Sequence, residues 1–144
     1  MRARRGRFGL AGAGVAVLLG CSGAALSPFN GELAEGTWGG DAAGMIVSDT
    51  SMHLHVGCTY GDVTGRVAVT NGAFDVSGRY LLRAYPIAVG PTMPARFTGT
   101  VTGKVATITA TVDDTVQHQT VVKGPVVVTL GVAPRLDPCP ICRR

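Results

Sequence analysis

From Gly36 onward the chain is built of short β-branched runs broken by Gly, Asn, Asp and Pro at spacings of about 8–12 residues. That rhythm leaves little room for helices. Within the runs the period is two. Met52, Leu54 and Val56 fall on one face, with His53 and His55 on the other. Phe74, Val76, Tyr80 and Leu82 share a face, as do Ala106, Ile108, Ala110 and Val112. Such runs bury one side of a strand and wet the other. No 3.6-residue period is sustained outside the first twenty residues.

The expected strands are 37–39, 45–48, 52–58, 63–69, 73–84, 96–102, 105–112, 117–122 and 126–130. Turns are expected at Asp49-Thr50-Ser51, Tyr60-Gly61-Asp62, Asn71-Gly72, Gly103-Lys104 and Asp113-Asp114. Asn71-Gly72 is the strongest of these, because both residues tolerate positive φ. The stretch 86–94 carries three prolines and reads as a loop. Gly124-Pro125 marks a break or bulge near the end. Short connections favour neighbouring antiparallel strands. The sequence therefore implies an all-β antiparallel up-and-down meander of about eight strands, closing into a small barrel that removes exposed edges. A two-sheet β-sandwich is the alternative.

The N-terminus carries a different message. Arg2, Arg4, Arg5 and Arg7 precede an apolar run over 8–19, and Leu18-Leu19-Gly20-Cys21 follows. This has the form of an export signal. The run is about 12 residues, too short for a membrane-spanning helix of roughly 20. The cysteine after Gly20 resembles the lipobox of bacterial lipoproteins. That resemblance implies a lipidated Cys21, membrane attachment through the lipid, and a place in the bacterial cell envelope on the periplasmic or outer face. Cleavage near Ala24-Ala25 with plain secretion is the alternative. The chain divides into a signal over 1–20, a tether over 21–35 and a domain over 36–144. The domain of a 144-residue chain can bury a modest core.

Charge excludes one class of partner. Of 13 Lys and Arg residues, four lie in the first seven positions, and the other nine balance nine Asp and Glu. The basic pI of about 9.2 belongs to the signal. No basic stripe remains in the domain to hold nucleic acid.

Gly36-Thr37-Trp38-Gly39-Gly40-Asp41, then Ile46-Val47, Cys58, Pro134-Arg135-Leu136 and Cys139, together resemble a group of small, uncharacterised bacterial secreted or lipid-anchored proteins. Their pattern includes one mid-chain cysteine and one near the end. The resemblance covers about 36–139 and implies no activity. Cys142 and the stretch 117–123 depart from it. The Gly-x-Trp opening is also similar to the first strand of lipocalin- and avidin-like barrels.

Four cysteines need assignment. With Cys21 lipidated, three remain, and an oxidising compartment favours one disulfide. Cys58–Cys139 is the preferred pairing and Cys58–Cys142 the alternative. Cys139-Pro140-Ile141-Cys142 lies at the chain end with no helix after it, which argues against a redox centre. His53 and His55 point the same way along a strand, about 6–7 Å apart, and could share a metal ion with His118 as a third ligand. Two solvated positions on a polar face is the simpler reading, and no metal or other cofactor is assigned. Trp38 is expected to plug one end of the barrel, Asp41 to serve a turn, and Arg79, Arg83 and Asp75 to lie on a solvated face. Tyr60, Tyr80 and Tyr85 show no clustering along the sequence.

No nucleophile elbow, phosphate loop or paired carboxylates are present, so nothing marks a catalytic residue. The reading is an exported, lipid-anchored binding or envelope-interaction module, with an unidentified small ligand conceivable inside the barrel. The alternatives are a metal-binding periplasmic protein and an enzyme of unknown type.

Overall fold

The computed structural model describes residues 27–82 and 90–139. Among the described residues ten strands follow one another: β1 (Gly31–Glu32), β2 (Gly36–Gly40), β3 (Ala43–Val47), β4 (Ser51–Val56), β5 (Thr59–Thr64), β6 (Ala68–Val69), β7 (Ala73–Leu81), β8 (Met93–Thr102), β9 (Val105–Asp114) and β10 (Gln119–Leu130). Eight of them close into an antiparallel barrel in the order β10-β2-β3-β4-β5-β7-β8-β9. The short β1 and β6 pair separately. The expected barrel is therefore found, and the sandwich is not.

Parity decides what faces inward. Met52 and Leu54 are fully buried, and Ala106, Ile108, Ala110 and Val112 are all at 0% exposure. Trp38, Met45, Phe74, Tyr80, Met93, Phe97 and Val128 join them in one continuous core. An eight-stranded barrel is just wide enough for side chains to fill. Each large apolar side chain buried there contributes about 1.5–3 kcal/mol. The Trp38 indole donates its Nε1–H to the Ala34 carbonyl at 2.9 Å, so its polar edge is satisfied. Outward positions carry Asp62, Asp75, Arg79, Arg96 and a run of threonines, so the barrel is apolar within and polar without. Membrane-spanning barrels have the opposite arrangement.

Several boundaries differ from those the sequence implied. The hairpin between β4 and β5 turns at Gly57-Cys58, not at Tyr60-Gly61-Asp62. Gly57 takes φ +58°, which suits glycine. Gly61 instead faces inward, where a Cβ would meet Tyr80 Cδ2 at 2.4 Å and Phe97 Cζ at 2.6 Å. It is glycine to make room for rings rather than to turn the chain.

The expected strand 63–69 is broken, because β5 ends at Thr64 and β6 pairs with β1 outside the barrel. Asp113 and Asp114 are not a turn but the end of β9. The Asp114 carboxylate is buried and accepts the backbone N–H groups of Val116 and Gln117, both at 3.0 Å, which shapes the turn that follows. Pro94 lies inside β8, at its second residue, where pairing to β9 has not yet begun.

The last two expected strands are one, β10, with a bulge between Lys123 and Val126 around the Gly124-Pro125 bond. Asn71-Gly72 turns as expected, with φ of 52° and 73°. The segment read as a tether already enters the fold, since Leu33 is 3% exposed and its N–H bonds the Val67 carbonyl at 2.8 Å. Cys21, Arg83, Tyr85, Pro86 and Cys142 lie outside the described residues.

Candidate functional site

The interior is occupied by side chains, so the outer wall is where chemistry-bearing groups meet. They do so on β4 and β5. With the hairpin turning at Gly57-Cys58, His53 pairs with Asp62 and His55 with Tyr60 across the strands. On the other side of β4, His53 faces Ile46 and His55 faces Gly44 of β3. All of these positions point outward. His53 Nδ1 lies 2.6 Å from Asp62 Oδ1. The two imidazoles meet edge to face with centroids 4.8 Å apart, and the Tyr60 ring lies 5.3 Å from each.

The C-terminal tail forms the other wall. After β10 it runs back across the outside of the barrel. The Gly131 N–H bonds the Thr37 carbonyl at 2.8 Å, the Arg135 N–H bonds the Gly40 carbonyl at 3.0 Å, and the Ala42 N–H bonds the Arg135 carbonyl at 2.8 Å. Arg135 Nε donates to Asp41 Oδ1 at 2.6 Å. That ion pair is exposed, so it adds little by itself. Asp41 thus docks the tail rather than serving only a turn.

Close approach of the tail explains Gly39 and Gly44, and β10 itself crowds Gly40. A Cβ on Gly39 would sit 2.4 Å from the Ala133 carbonyl carbon, one on Gly40 would sit 2.0 Å from Val127 O, and one on Gly44 would sit 2.6 Å from Pro134 Cβ. A disulfide between Cys58 and Cys139 pins the tail to the β4–β5 hairpin. The preferred pairing is the one found. The motif residues Gly39, Gly40, Asp41, Cys58, Pro134, Arg135 and Cys139 therefore all serve one structure, a stapled tail.

Between tail and wall lies a groove of about 280 Å³, lined by Thr37, Gly44, Met45, Ile46, His53, His55, Pro134 and Leu136. Ile46 is 56% exposed and Leu136 42%, an unusual pair of apolar groups to leave beside two imidazoles. His118 is not brought to this place. It sits at φ 54° in the turn between β9 and β10, strands on the far side of the barrel. Among the described residues no group of three His, Cys, Asp or Glu is arranged to hold a metal ion. The Arg79 guanidinium donates to the hydroxyl and to the backbone carbonyl of Thr92, each at 2.8 Å, and Asp75 pairs with Arg96. Both belong to a solvated face, as expected for Arg79 and Asp75.

Burial holds the His55 imidazole below its ordinary pKa of 6.5, with the neighbouring His53 acting the same way and Asp62 opposing them. The folded state then binds fewer protons than the unfolded chain between that lowered value and 6.5. Stability should fall as pH drops from neutrality through this window and level off below it. Partial solvent exposure keeps the effect modest. Urea unfolding at about pH 7.5 and 5.5 should show a smaller difference for His55→Asn than for the parent. An equal difference in both would remove the assignment to His55.

No protein-family model matches the chain, and neither does any curated protein or solved structure.

Proposed function

We propose that this protein is an exported, lipid-anchored interaction module of the bacterial envelope, working through the outer face of a filled barrel. The observation that carries this reading is the pairing of a core packed with Trp38, Tyr80, Phe97 and Met52 with an exposed groove beside Ile46 and Leu136. A barrel so filled holds no sizeable ligand along its axis, and apolar groups left on the surface suit a partner's side chains. The Cys58–Cys139 bridge agrees with an oxidising compartment. Arg2 to Cys21 supply the export signal and the site of lipid attachment. The likeness to small exported proteins with a Gly-Thr-Trp-Gly-Gly-Asp start fits the same reading.

Two acyl chains or more anchor a protein far better than one, at ~0.8 kcal/mol per buried CH₂. Cys21→Ser should therefore move the protein from the membrane to the soluble fraction and remove the lipid mass. A photo-crosslinking residue at Ile46 should capture a discrete partner in intact cells, lost with Leu136→Asp, while one at Thr98 should not. Retention on the membrane at unchanged mass sinks the anchor. Equal capture from positions 46 and 98 sinks the groove.

A further inference from the structure

We propose that His53 and His55 form a surface chelate for a divalent transition ion of borderline softness, Cu(II) ahead of Zn(II), with Asp62 as the positioning residue. This goes beyond the docking reading and stands whether or not a partner occupies the groove.

The argument is geometric. Imidazole nitrogens bind such ions at about 2.0–2.1 Å, which puts each ring centroid roughly 3.2 Å from the metal. Two rings sharing one ion at about 90–110° then have centroids roughly 4.5–5.2 Å apart. The observed separation is 4.8 Å. Both rings project from one face of β4, two residues apart, so rotation about their side-chain bonds can aim one nitrogen of each at a shared ion.

Asp62 supplies the second requirement. Its carboxylate lies 2.6 Å from His53 Nδ1 and favours the proton on that nitrogen, which leaves the lone pair on Nε2. Metal-ligating histidines are commonly oriented by such a carboxylate. Tyr60 packs at 5.3 Å from both rings and flanks the pair. Two protein nitrogens leave the remaining positions to water or to a donor carried by a partner. Imidazole nitrogen pairs favour Cu(II) over Zn(II) by the general order of affinities. Calcium and magnesium, which want several oxygens, are poorly served.

The test uses the full-length chain with Cys21→Ser and Cys142→Ser, which removes the two cysteines outside the disulfide that would compete for copper. Titration with Cu(II) should give one site. Its electron paramagnetic resonance spectrum should show coupling to two nitrogens. His53→Gln and His55→Gln should each weaken binding at least tenfold, and Asp62→Asn by about tenfold with both nitrogens retained. His118→Gln should bind as the parent does. Far-UV circular dichroism checks that each variant is folded. The proposal is overturned if His118→Gln weakens binding as much as His53→Gln does. It is also overturned by coupling to fewer than two nitrogens, or by parent-like affinity in folded His55→Gln.

Discussion

Replacing Cys58 and Cys139 by serine should lower the unfolding free energy by about 3–5 kcal/mol, the largest loss expected from any change outside the core. The two cysteines are 81 residues apart, and the loop they close contains β5 and all later strands of the barrel. Cross-linking so long a loop removes much of the unfolded chain's freedom, about 4.5 kcal/mol on the loop-entropy scale. The melting temperature should fall by roughly 10–30 °C, given some 3–6 °C per kcal/mol for a domain of this size. A local effect should accompany the global one. Without the bridge, the described part of the tail beyond Gly131 is held across to β2 and its turn by the backbone bonds of Ala42 and Arg135 and by an exposed ion pair. Hydrogen exchange at the Ala42 and Arg135 amides should then speed up while β8 and β9 stay protected. Cys142→Ser should change neither property. A loss under about 1 kcal/mol in the double variant would mean that the staple contributes little beyond the strands themselves.

The barrel was legible because its inner and outer faces obey a strict parity. Met52 and Leu54, or the four apolar residues Ala106, Ile108, Ala110 and Val112, announce their direction without knowledge of their neighbours. Positive-φ turns were legible where the residue type can serve nothing else, as at Asn71-Gly72. Glycine inside a strand was not. Tyr60-Gly61-Asp62 reads as a turn, yet Gly61 is small because Tyr80 and Phe97 occupy the space in front of it, and those rings come from β7 and β8. The misreading concealed the site. Once the hairpin turns at Gly57-Cys58, pairing sets His53 against Asp62 and His55 against Tyr60, whereas a turn at residues 60–62 removes both partners from the sheet. The tail was hidden for another reason. Arg135 and Asp41 are 94 positions apart, and no local pattern relates them. Glycines at 39 and 44 could be understood only when the tail lying across them was seen.

Gly40 carries the second large prediction, because it sits where the barrel closes. The seam between β10 and β2 has two registered pairs, Thr129 with Gly39 and Leu130 with Trp38. Beside them, a Cβ on Gly40 would stand 2.0 Å from the Val127 carbonyl oxygen and 3.1 Å from its carbon. Both atoms are backbone, so no side chain can swing away. Either β10 retreats and the seam opens, or β2 shifts and strains its pairing with β3. Gly40→Ala should therefore cost about 2–4 kcal/mol, at the upper end of overpacking changes, although it adds one methyl group. Trp38, 1% exposed and two residues away, should report the event by a red shift of its emission in the native state. Gly57→Ala makes the contrast. Its Cβ meets nothing within 4 Å, but its φ is +58°, so only the conformational cost of about 1–2 kcal/mol applies. Its Trp38 emission should match the parent's. If Gly40→Ala keeps parent stability and emission, β2 and β10 can separate freely, and the closure between them does not hold the barrel together.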